Sequence, residues 1–422
     1  MNYFITDIEI EKVRHIEDFK IRLSTDKRKH LLITGRNGSG KTSVLEEIKK
    51  QLEGIYSGDS LEFINWRSTK ERLEQELEQI KQKIPFTTRD SERIEIERKI
   101  KIFEQSIAIN KDYLEKYSKI SLHFSSISNL VAEAQSGRFI LAFFGANRQL
   151  SMKIPDAIAK IDFKDAYAPS ERAADKFLQY LVYLKTQQAF SMTGGDLAEA
   201  DRIQGWFDRL QEQLRNLFED EQLKLEFDSR NLNFVLRLEG KREPFDSTVL
   251  SAGHTAYLEI VSELIMRMEK NEVSSYDLQG VVLIDEIETH LHVSLQKKIL
   301  PFLTALFPKL QFIVTTHSPF VLNSIGDTVI CDLENRTVME DFSAYSYESI
   351  VEKYFGAEQY SEEIKQKMNE YIALSEKREL NVQEELALDQ LRMYLDSIPY
   401  NMAPEVKIKF DQLELDRESE QL

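Results

Sequence analysis

Residues 35–42 read Gly-Arg-Asn-Gly-Ser-Gly-Lys-Thr and follow the apolar run Leu-Leu-Ile-Thr at residues 31–34. The eight residues match the pattern G-x-x-x-x-G-K-[ST] at every fixed position. Glycine lets such a loop curl until its N–H groups point at phosphate oxygens, and the following helix adds its positive N-terminus. An apolar run without alternation is typical of a strand buried on both faces. The stretch therefore predicts an α/β fold with a phosphate-binding loop (P-loop) between a buried strand and a helix.

The loop and the first turn of the following helix supply the predicted nucleotide contacts. Lys41 is expected to reach the β- and γ-phosphates, which also makes it a candidate catalytic residue, and Thr42 is a candidate Mg²⁺ ligand. A nucleotide with Mg²⁺ is therefore the predicted ligand of the loop. The candidate nucleotide-binding residues here are Gly35, Arg36, Asn37, Gly38, Ser39, Gly40, Lys41, Thr42 and Ser43.

A second apolar run, residues 281–284, ends in Asp285 and Glu286. A phosphate site needs an acid that holds the metal, and we expect Asp285 to do so. Glu286 is the candidate catalytic residue that orients and polarises the attacking water, since positioning dominates phosphoryl transfer. An acidic pair after an apolar strand is also common in solvated turns, so its functional interpretation depends on the phosphate loop.

His317 follows a third apolar run, residues 312–316. The carboxyl ends of parallel strands are where open α/β sheets bind ligands, so His317 is a candidate to sense the γ-phosphate and bond to the attacking water. A lone histidine is more often a structural residue. The convergence of three strand ends favours the functional role.

Residues 250–254 read Leu-Ser-Ala-Gly-His and directly precede a predicted helix. Ser251 and Gly253 would form an anion-binding N-terminus, with a hydroxyl and bare backbone N–H groups. A helix cap is the ordinary explanation of such a run. Its position upstream of Asp285 favours a part in the nucleotide site.

The periodicity of the remaining chain predicts four segments. Residues 66–118 carry two heptad-like apolar stripes separated by a polar break, which predicts an antiparallel helical hairpin; two amphipathic helices lying flat on the domain are the alternative. Strands are predicted over 3–10, 19–23, 120–124, 139–144, 223–227 and 232–238, and helices over 170–184, 198–218 and 252–268. The predicted domains are 1–65 and 119–342 for the two parts of the head, 66–118 for the hairpin, and 343–422 for a helical C-terminal extension.

Charge, cysteine content and the lengths of apolar segments exclude several classes of protein. The 422 residues carry 55 Lys+Arg and 72 Asp+Glu, a net charge of −17, which argues against a surface that is basic throughout. The tail, 343–422, holds 9 basic and 18 acidic residues, whereas the hairpin holds 12 and 11, so DNA contact stays possible at the hairpin. The single cysteine, Cys331, excludes an intrachain disulfide. Neither a signal peptide nor a membrane span is predicted, and we expect a cytoplasmic protein.

The four motifs, in this order, resemble the ABC-type ATPase heads of the SMC and RecF class. Residues 285–292 are similar to the Asp-Glu-x-Glu-x-x-Leu-His stretch of OLD-family proteins. The resemblance implies an ABC-type head with a parallel-sheet core, an antiparallel β lobe and a homodimer or higher oligomer whose heads sandwich ATP. Ser251 and Gly253 of one subunit would then face the phosphate loop of another.

The resemblance also implies a glutamine loop that contacts Mg²⁺. Gln149 is the candidate, and Arg148 beside it is an equally plausible charged contact. Ala252 and His254 stand where the family signature has its second glycine and its glutamine, which is a departure from the pattern.

The tail contains no Asp-x-Asp element and no histidine, so neither a Toprim nor a histidine-based nuclease is expected there. The chain thus resembles the stand-alone ATPase subunits of bacterial anti-phage systems such as PARIS or Septu, which implies a separate, nuclease-like effector. A DNA repair or recombination ATPase of the RecF/SMC type and the ATPase of an ABC transporter are the alternatives.

Overall fold

The computed structural model describes most of the chain. Two compact units divide it, Met1–Ala344 and Tyr345–Leu422. No helix among the described residues is long and apolar enough to cross a membrane. The described ranges are 2–59, 72–82, 90–148, 154–238, 241–245, 252–271, 277–340, 342–351, 361–375, 377, 380–400 and 403–420.

The strands and helices are numbered in chain order. The strands are β1 (Ile5–Val13), β2 (Ile16–Arg22), β3 (His30–Thr34), β4 (Ile120–Phe124), β5 (Phe139–Phe144), β6 (Lys224–Asp228), β7 (Asn233–Leu238), β8 (Lys241–Pro244), β9 (Gln279–Ile284), β10 (Leu310–Thr315), β11 (Thr328–Asp332) and β12 (Thr337–Glu340). The helices are α1 (Lys41–Ser57), α2 (helical residues 72–82), α3 (Asp90–Tyr117), α4 (Leu130–Gln135), α5 (Phe177–Gly194), α6 (Leu197–Phe218), α7 (Ala252–Met268), α8 (Val293–Leu306), α9 (Pro319–Leu322), α10 (Tyr347–Ser349), α11 (Glu362–Ser375), α12 (Val382–Ser397) and α13 (Pro404–Glu420), with 3-10 turns at Ala174–Lys176 and Glu269–Asn271.

The central sheet has the strand order β12-β11-β3-β10-β9-β5. All neighbours pair in parallel except β11 and β12, which are antiparallel. Every residue of β3 and β10 is buried, because the sheet is covered on both faces, and this explains their unbroken apolar sequences. The predicted α/β class with a parallel core is confirmed. The carboxyl ends of β3, β9 and β10 meet at one edge and bring their loops together there.

Strands β11 and β12 are not among the predicted elements. The sequence of β11, Thr-Val-Ile-Cys-Asp, holds only three apolar residues in a row, too short a run to distinguish from a loop. Pairing with β3 buries all five residues, including Cys331, so tertiary contacts decide this strand. The local signal for this strand is the β-branched pair Val329 and Ile330, which lies shortly before the polar turn at residues 334–336.

Two small antiparallel sheets accompany the central one, in the orders β2-β1-β4 and β6-β7-β8. The predicted strands 3–10 and 19–23 left residues 11–18 as a connection, which was wrong, because both strands extend into it and Val13 pairs with Ile16 across a two-residue turn. Arg14 adopts a φ of 54° in that turn. Strand β8 was not predicted.

The predicted helix over 170–184 also needs correction, since α5 begins only at Phe177. Both Glu263 carboxylate oxygens accept the N–H of Ala173, and one accepts that of Ala174, at 2.7–3.0 Å. Because Glu263 binds these two N–H groups, the residues before Phe177 do not continue the α-helix. Helix α7, in contrast, has the predicted bounds.

Residues 66–118 contain α2 and α3, and part of the predicted first arm and of the break lies outside the described residues. Lys81 of α2 pairs with Glu104 of α3 at 3.0 Å, so the two helices lie side by side there. On α3, Ile96, Ile100 and Phe103 are half-buried, while Ile94 is 66% exposed. The predicted stripe is therefore the side of α3 that is partly covered.

The described residues of the unit Tyr345–Leu422 are mainly helical, as predicted. Helices α11, α12 and α13 surround a small hydrophobic core of their own. Its fully or nearly buried members are Met368, Tyr371, Leu388, Leu395 and Phe410.

Candidate functional site

The phosphate loop connects β3 to α1 and depends on glycine. Gly35, Gly38 and Gly40 have φ values of 134°, 86° and 98°, in the left-handed region that side chains disfavour. A Cβ atom on Gly35 would also lie 2.8 Å from Ser39 Oγ. Local sequence thus dictates the curled loop, whose last residue, Gly40, caps α1.

Lys41 lies over this loop. Its Nζ donates to the carbonyls of Gly35 at 2.8 Å and Arg36 at 3.1 Å, and the residue is only 6% exposed. Burial lowers the pKa of the Lys41 ammonium, and the carboxylates of Glu286 and Glu288 oppose that shift. The Lys41 ammonium is thus a nearly buried cation over the loop, in a site rich in acids.

Asp285 connects the end of β9 to the loop. Its Oδ1 lies 3.3 Å from Thr42 Oγ1 and accepts a 2.6 Å bond from Thr315 Oγ1. The carboxylate is buried, with 3% exposure, and its backbone N–H donates to Phe144 O at 2.8 Å. Thr42 and Asp285, the two predicted Mg²⁺ ligands, are thus adjacent. Two oxygen ligands leave room for phosphate and water, as Mg²⁺ prefers, so the residues fit that ion.

Glu286 is held from several sides. Its backbone has a φ of 45°, and its N–H donates to Thr315 Oγ1 at 2.7 Å. Its carboxylate accepts from Thr289 Oγ1 at 3.2 Å, and its carbonyl accepts from Arg148 Nη2 at 2.6 Å. The side chain stays partly exposed at the sheet edge. This arrangement presents a carboxylate of fixed direction beside the predicted metal ligands.

His317 enters the same edge from β10. Its backbone N–H donates to Glu288 Oε1, which joins the strand end to the loop after β9. Burial lowers the pKa of the half-buried imidazole, and the charge of Lys41 lowers it further, so the ring is neutral at pH 7. A neutral imidazole can both accept and donate a hydrogen bond.

The predicted signature residues are less completely described. Ser251 and Gln149 lie outside the described residues. Gly253, in the first turn of α7, is buried, and a Cβ there would lie 2.9 Å from the carbonyl of His290. The contacts described for Gly253 reach the segment after Glu286 and not the phosphate loop. His254 stacks on Phe218, with ring centroids 4.2 Å apart.

Several site residues were missed from the sequence. Thr315 bonds both Asp285 and the Glu286 N–H, and Glu288 bonds the His317 N–H. Glu334, in the turn after β11, accepts the Arg36 N–H at 3.3 Å. The pair Thr315-Thr316 at the end of an apolar strand was the sequence signal for polar side chains at the carboxyl edge of the sheet. No local pattern connects Glu334 to the loop.

A groove of about 810 Å³ opens beside the phosphate loop. The end of β1, the first two turns of α1 and the residues before β4 line it, so it continues from Thr42 and Ser43 along the head. Its charged lining is mixed: the basic members are Lys12, Arg14 and Lys119, and the acidic members are Glu11, Glu46 and Glu47.

The sequence of the chain is similar to those of several known proteins. The family model described as "AAA domain, putative AbiEii toxin, Type IV TA system" matches residues 31–323. The Septu protein PtuA of Bacillus mycoides (strain KBAB4) is 27% identical over 344 residues, 79% of this chain and 41% of that protein. The Retron Vc95 probable ATPase of Vibrio cholerae is 24% identical over 365 residues, 72% of this chain and 69% of that protein.

The chain therefore spans less than half the length of the Septu relative. Among solved structures, an SmcHead bound to the C-winged helix domain of ScpA aligns with 78% of this chain and 93% of its own. The sequence identity is 13% and the TM-score is 0.36.

Proposed function

The chain belongs to the AAA domain family, and on that premise we propose that it binds ATP with Mg²⁺ and hydrolyses it in anti-phage defence. One observation carries the ATPase part of the proposal. Thr42, Asp285 and Glu286 come together at the end of the sheet where the Lys41 ammonium covers the phosphate loop. The Septu and retron relatives support the defence part.

The loop residues bind and orient the phosphates. Lys41 Nζ would exchange its bonds to the Gly35 and Arg36 carbonyls for β- and γ-phosphate oxygens, while the loop N–H groups surround the β-phosphate. Thr42 and Asp285 would hold Mg²⁺, which, when bound, neutralises charge that develops on the phosphates. Thr315 fixes Asp285 for that task through its 2.6 Å bond.

Glu286 is the proposed water-orienting residue. Its carboxylate accepts a proton of the water, whose oxygen attacks the terminal phosphorus while the bond to the bridging oxygen breaks, giving ADP and phosphate. The neutral His317 imidazole stays free to bond to that water or to a γ-phosphate oxygen. Both groups stand on strand ends that hydrogen bonds of Thr315 and Glu288 fix in place.

The complete site is proposed to need two heads. Gly253 packs against the segment after Glu286 within its own chain, and none of its described contacts involves the phosphate loop. Ser251 and Gly253 of a second copy would close the site over the γ-phosphate. Hydrolysis would then occur only when two heads assemble. An ATPase could control an effector through this change in assembly.

The acidic unit Tyr345–Leu422 is the proposed docking surface for a separate, nuclease-like effector. Residues 343–422 carry 9 basic and 18 acidic residues. On α12, Val382, Leu386 and Met393 share one helical face and are 74%, 59% and 75% exposed. An apolar stripe within an acidic surface suits a partner with a basic rim around apolar side chains.

Phosphate release from ATP by the purified chain, with and without duplex DNA, tests the function. The defence ATPase is expected to hydrolyse ATP without a dependence on duplex DNA. Stimulation of tenfold or more by duplex DNA would instead favour the repair class. The effector proposal is tested by co-expression with the neighbouring gene product, which should bind the wild type and lose binding to Met393→Glu.

A further inference from the structure

Arg148 is a buried cation that the mechanism above does not use. It follows β5 in the loop that leads away from the central sheet, and the residue is 6% exposed. Its Nη2 donates to the carbonyl of Glu286 at 2.6 Å. Its Nε and Nη1 are buried and have no hydrogen-bond partner among the described residues. Buried donors are nearly always satisfied in proteins, so this side chain needs an explanation.

Charge pairing does not explain the position of Arg148. The carboxylates of Glu259, Glu288 and Asp285 surround it, yet the described residues place no carboxylate oxygen within 4.0 Å of its guanidinium. Burial lowers the pKa of the guanidinium, although an arginine stays protonated at any physiological pH. The one side-chain hydrogen bond it forms in the described part of the chain goes to a backbone carbonyl.

That carbonyl belongs to a residue with an unusual backbone. Glu286 has a φ of 45°, which residues other than glycine rarely adopt unless their surroundings hold them there. Thr315 Oγ1 fixes the N–H of Glu286, and Arg148 fixes its C=O. The two bonds act on both sides of the Cα atom and so set the direction in which the carboxylate leaves the backbone.

We propose that Arg148 is a positioning residue for hydrolysis, which holds the Glu286 peptide in its left-handed conformation and thereby aims the Glu286 carboxylate. The proposal rests on the proposed ATPase function. It connects the end of β5 to the water-orienting residue at the end of β9, the neighbouring strand. Arg148 acts through Glu286 and requires no contact with the nucleotide.

The test compares Arg148→Ala and Arg148→Lys with a control, Arg138→Ala. Arg138 directly precedes β5 and pairs with Glu133 at 2.8 Å, and none of its described contacts reaches the Glu286 loop. The first measurement is hydrogen–deuterium exchange of the peptide covering residues 284–290, without nucleotide. Exchange there should become at least about tenfold faster in both Arg148 variants, because the loop loses one of its two anchors, and stay unchanged in Arg138→Ala.

The second measurement separates binding from turnover. We expect kcat for ATP hydrolysis to fall about 100-fold in Arg148→Ala, with the ATP dissociation constant within threefold of the wild type. Millimolar guanidinium ion should restore part of that kcat, and it should have no effect on Glu286→Gln. Arg148→Lys keeps a positive charge at this buried position. It therefore provides a second test of the proposal if Arg148→Ala does not fold.

The outcomes are distinct. Unchanged exchange and turnover in the Arg148 variants of a hydrolysing wild type would overturn the positioning role alone. A proportional loss of ATP binding and turnover, without rescue, would show a merely structural role and overturn it as well. A wild type that binds but never hydrolyses ATP would overturn the proposed function, whatever the exchange data show.

Discussion

Thr42 Oγ1, in the first turn of α1, lies 3.3 Å from Asp285 Oδ1 at the end of β9. These two residues are 243 positions apart in the chain, and the parallel sheet brings them into contact through β3, β10 and β9. Both offer hard oxygen atoms of the kind that Mg²⁺ binds. Their contact joins the phosphate loop to the acidic strand end, on which the proposed ATPase site depends.

Lys41→Ala should abolish nucleotide binding. The ammonium is the buried cation over the phosphate loop, whereas Arg148, the other buried cation near Glu286, Glu288 and Asp285, bonds to the Glu286 carbonyl. Removal of the ammonium therefore leaves the loop without its positive charge and the phosphates exposed to repulsion by these acids. We expect ATP affinity to fall by about 100-fold or more, as for loss of a charge-assisted contact. Isothermal titration calorimetry measures this. Lys50→Ala, on the same helix and paired with Glu47, should bind ATP normally; tight ATP binding by Lys41→Ala would refute the phosphate-loop role.

Ser251→Arg should bind ATP and fail to hydrolyse it, because the bulky cation blocks closure of a second head. A mixed dimer of Ser251→Arg and Lys41→Ala contains one intact composite site. An equimolar mixture of the two inactive variants should therefore recover up to about a quarter of wild-type turnover if dimers form at random. Phosphate release from the mixture measures this, and no recovery at any ratio would argue against sites shared between subunits.

Gly253→Ala should destabilise the start of α7. The new Cβ would lie 2.9 Å from the His290 carbonyl and 3.4 Å from Leu295 Cδ1, so backbone must move. We expect the free energy of unfolding to fall by about 1–3 kcal/mol, the usual cost of overpacking. Gly205→Ala, within α6 and without close neighbours, should instead gain up to about 1 kcal/mol in urea unfolding. Equal stability of the two variants would contradict this packing.

His30 should make the fold sensitive to acid. Burial lowers the pKa of its imidazole to about 4, from 6.5, and its Nδ1 accepts the Phe312 N–H at 3.0 Å. The unfolded chain therefore binds a proton first as the pH falls below 6.5, and the native state loses stability down to about pH 4. The loss from this group is about 2–3 kcal/mol between pH 7.5 and 4.5.

Urea unfolding at the two pH values measures the effect. His30→Asn should be less stable at pH 7.5 but should lose about 2–3 kcal/mol less than the wild type on acidification, since no imidazole remains to titrate. His15→Asn, at an exposed position, serves as the control and should follow the wild type. An identical pH dependence in His30→Asn and the wild type would contradict the buried neutral imidazole.

Local sequence was sufficient for the phosphate loop, whose glycine positions and flanking runs define it, and for α7. It was insufficient where distant residues decide. β11 forms because β3 buries it, α5 starts late because Glu263 binds the preceding N–H groups, and Glu334 reaches Arg36 across the sheet edge. Candidate residues on strand ends could be named without the structure, and Arg148 was among the residues named. The bonds from Thr315 and Arg148 to the Glu286 peptide could not be predicted, because they join residues far apart in the chain.

Phosphate release by Glu286→Gln beside the wild type, at saturating ATP, tests the central claim most directly. The amide keeps the size of the side chain and leaves Thr42 and Asp285 in place, so ATP should bind with wild-type affinity. Turnover should fall about 100-fold or more because the water loses its proton acceptor. Glu212→Gln, exposed on α6, should hydrolyse ATP normally. Wild-type turnover by Glu286→Gln would contradict the assignment of this site.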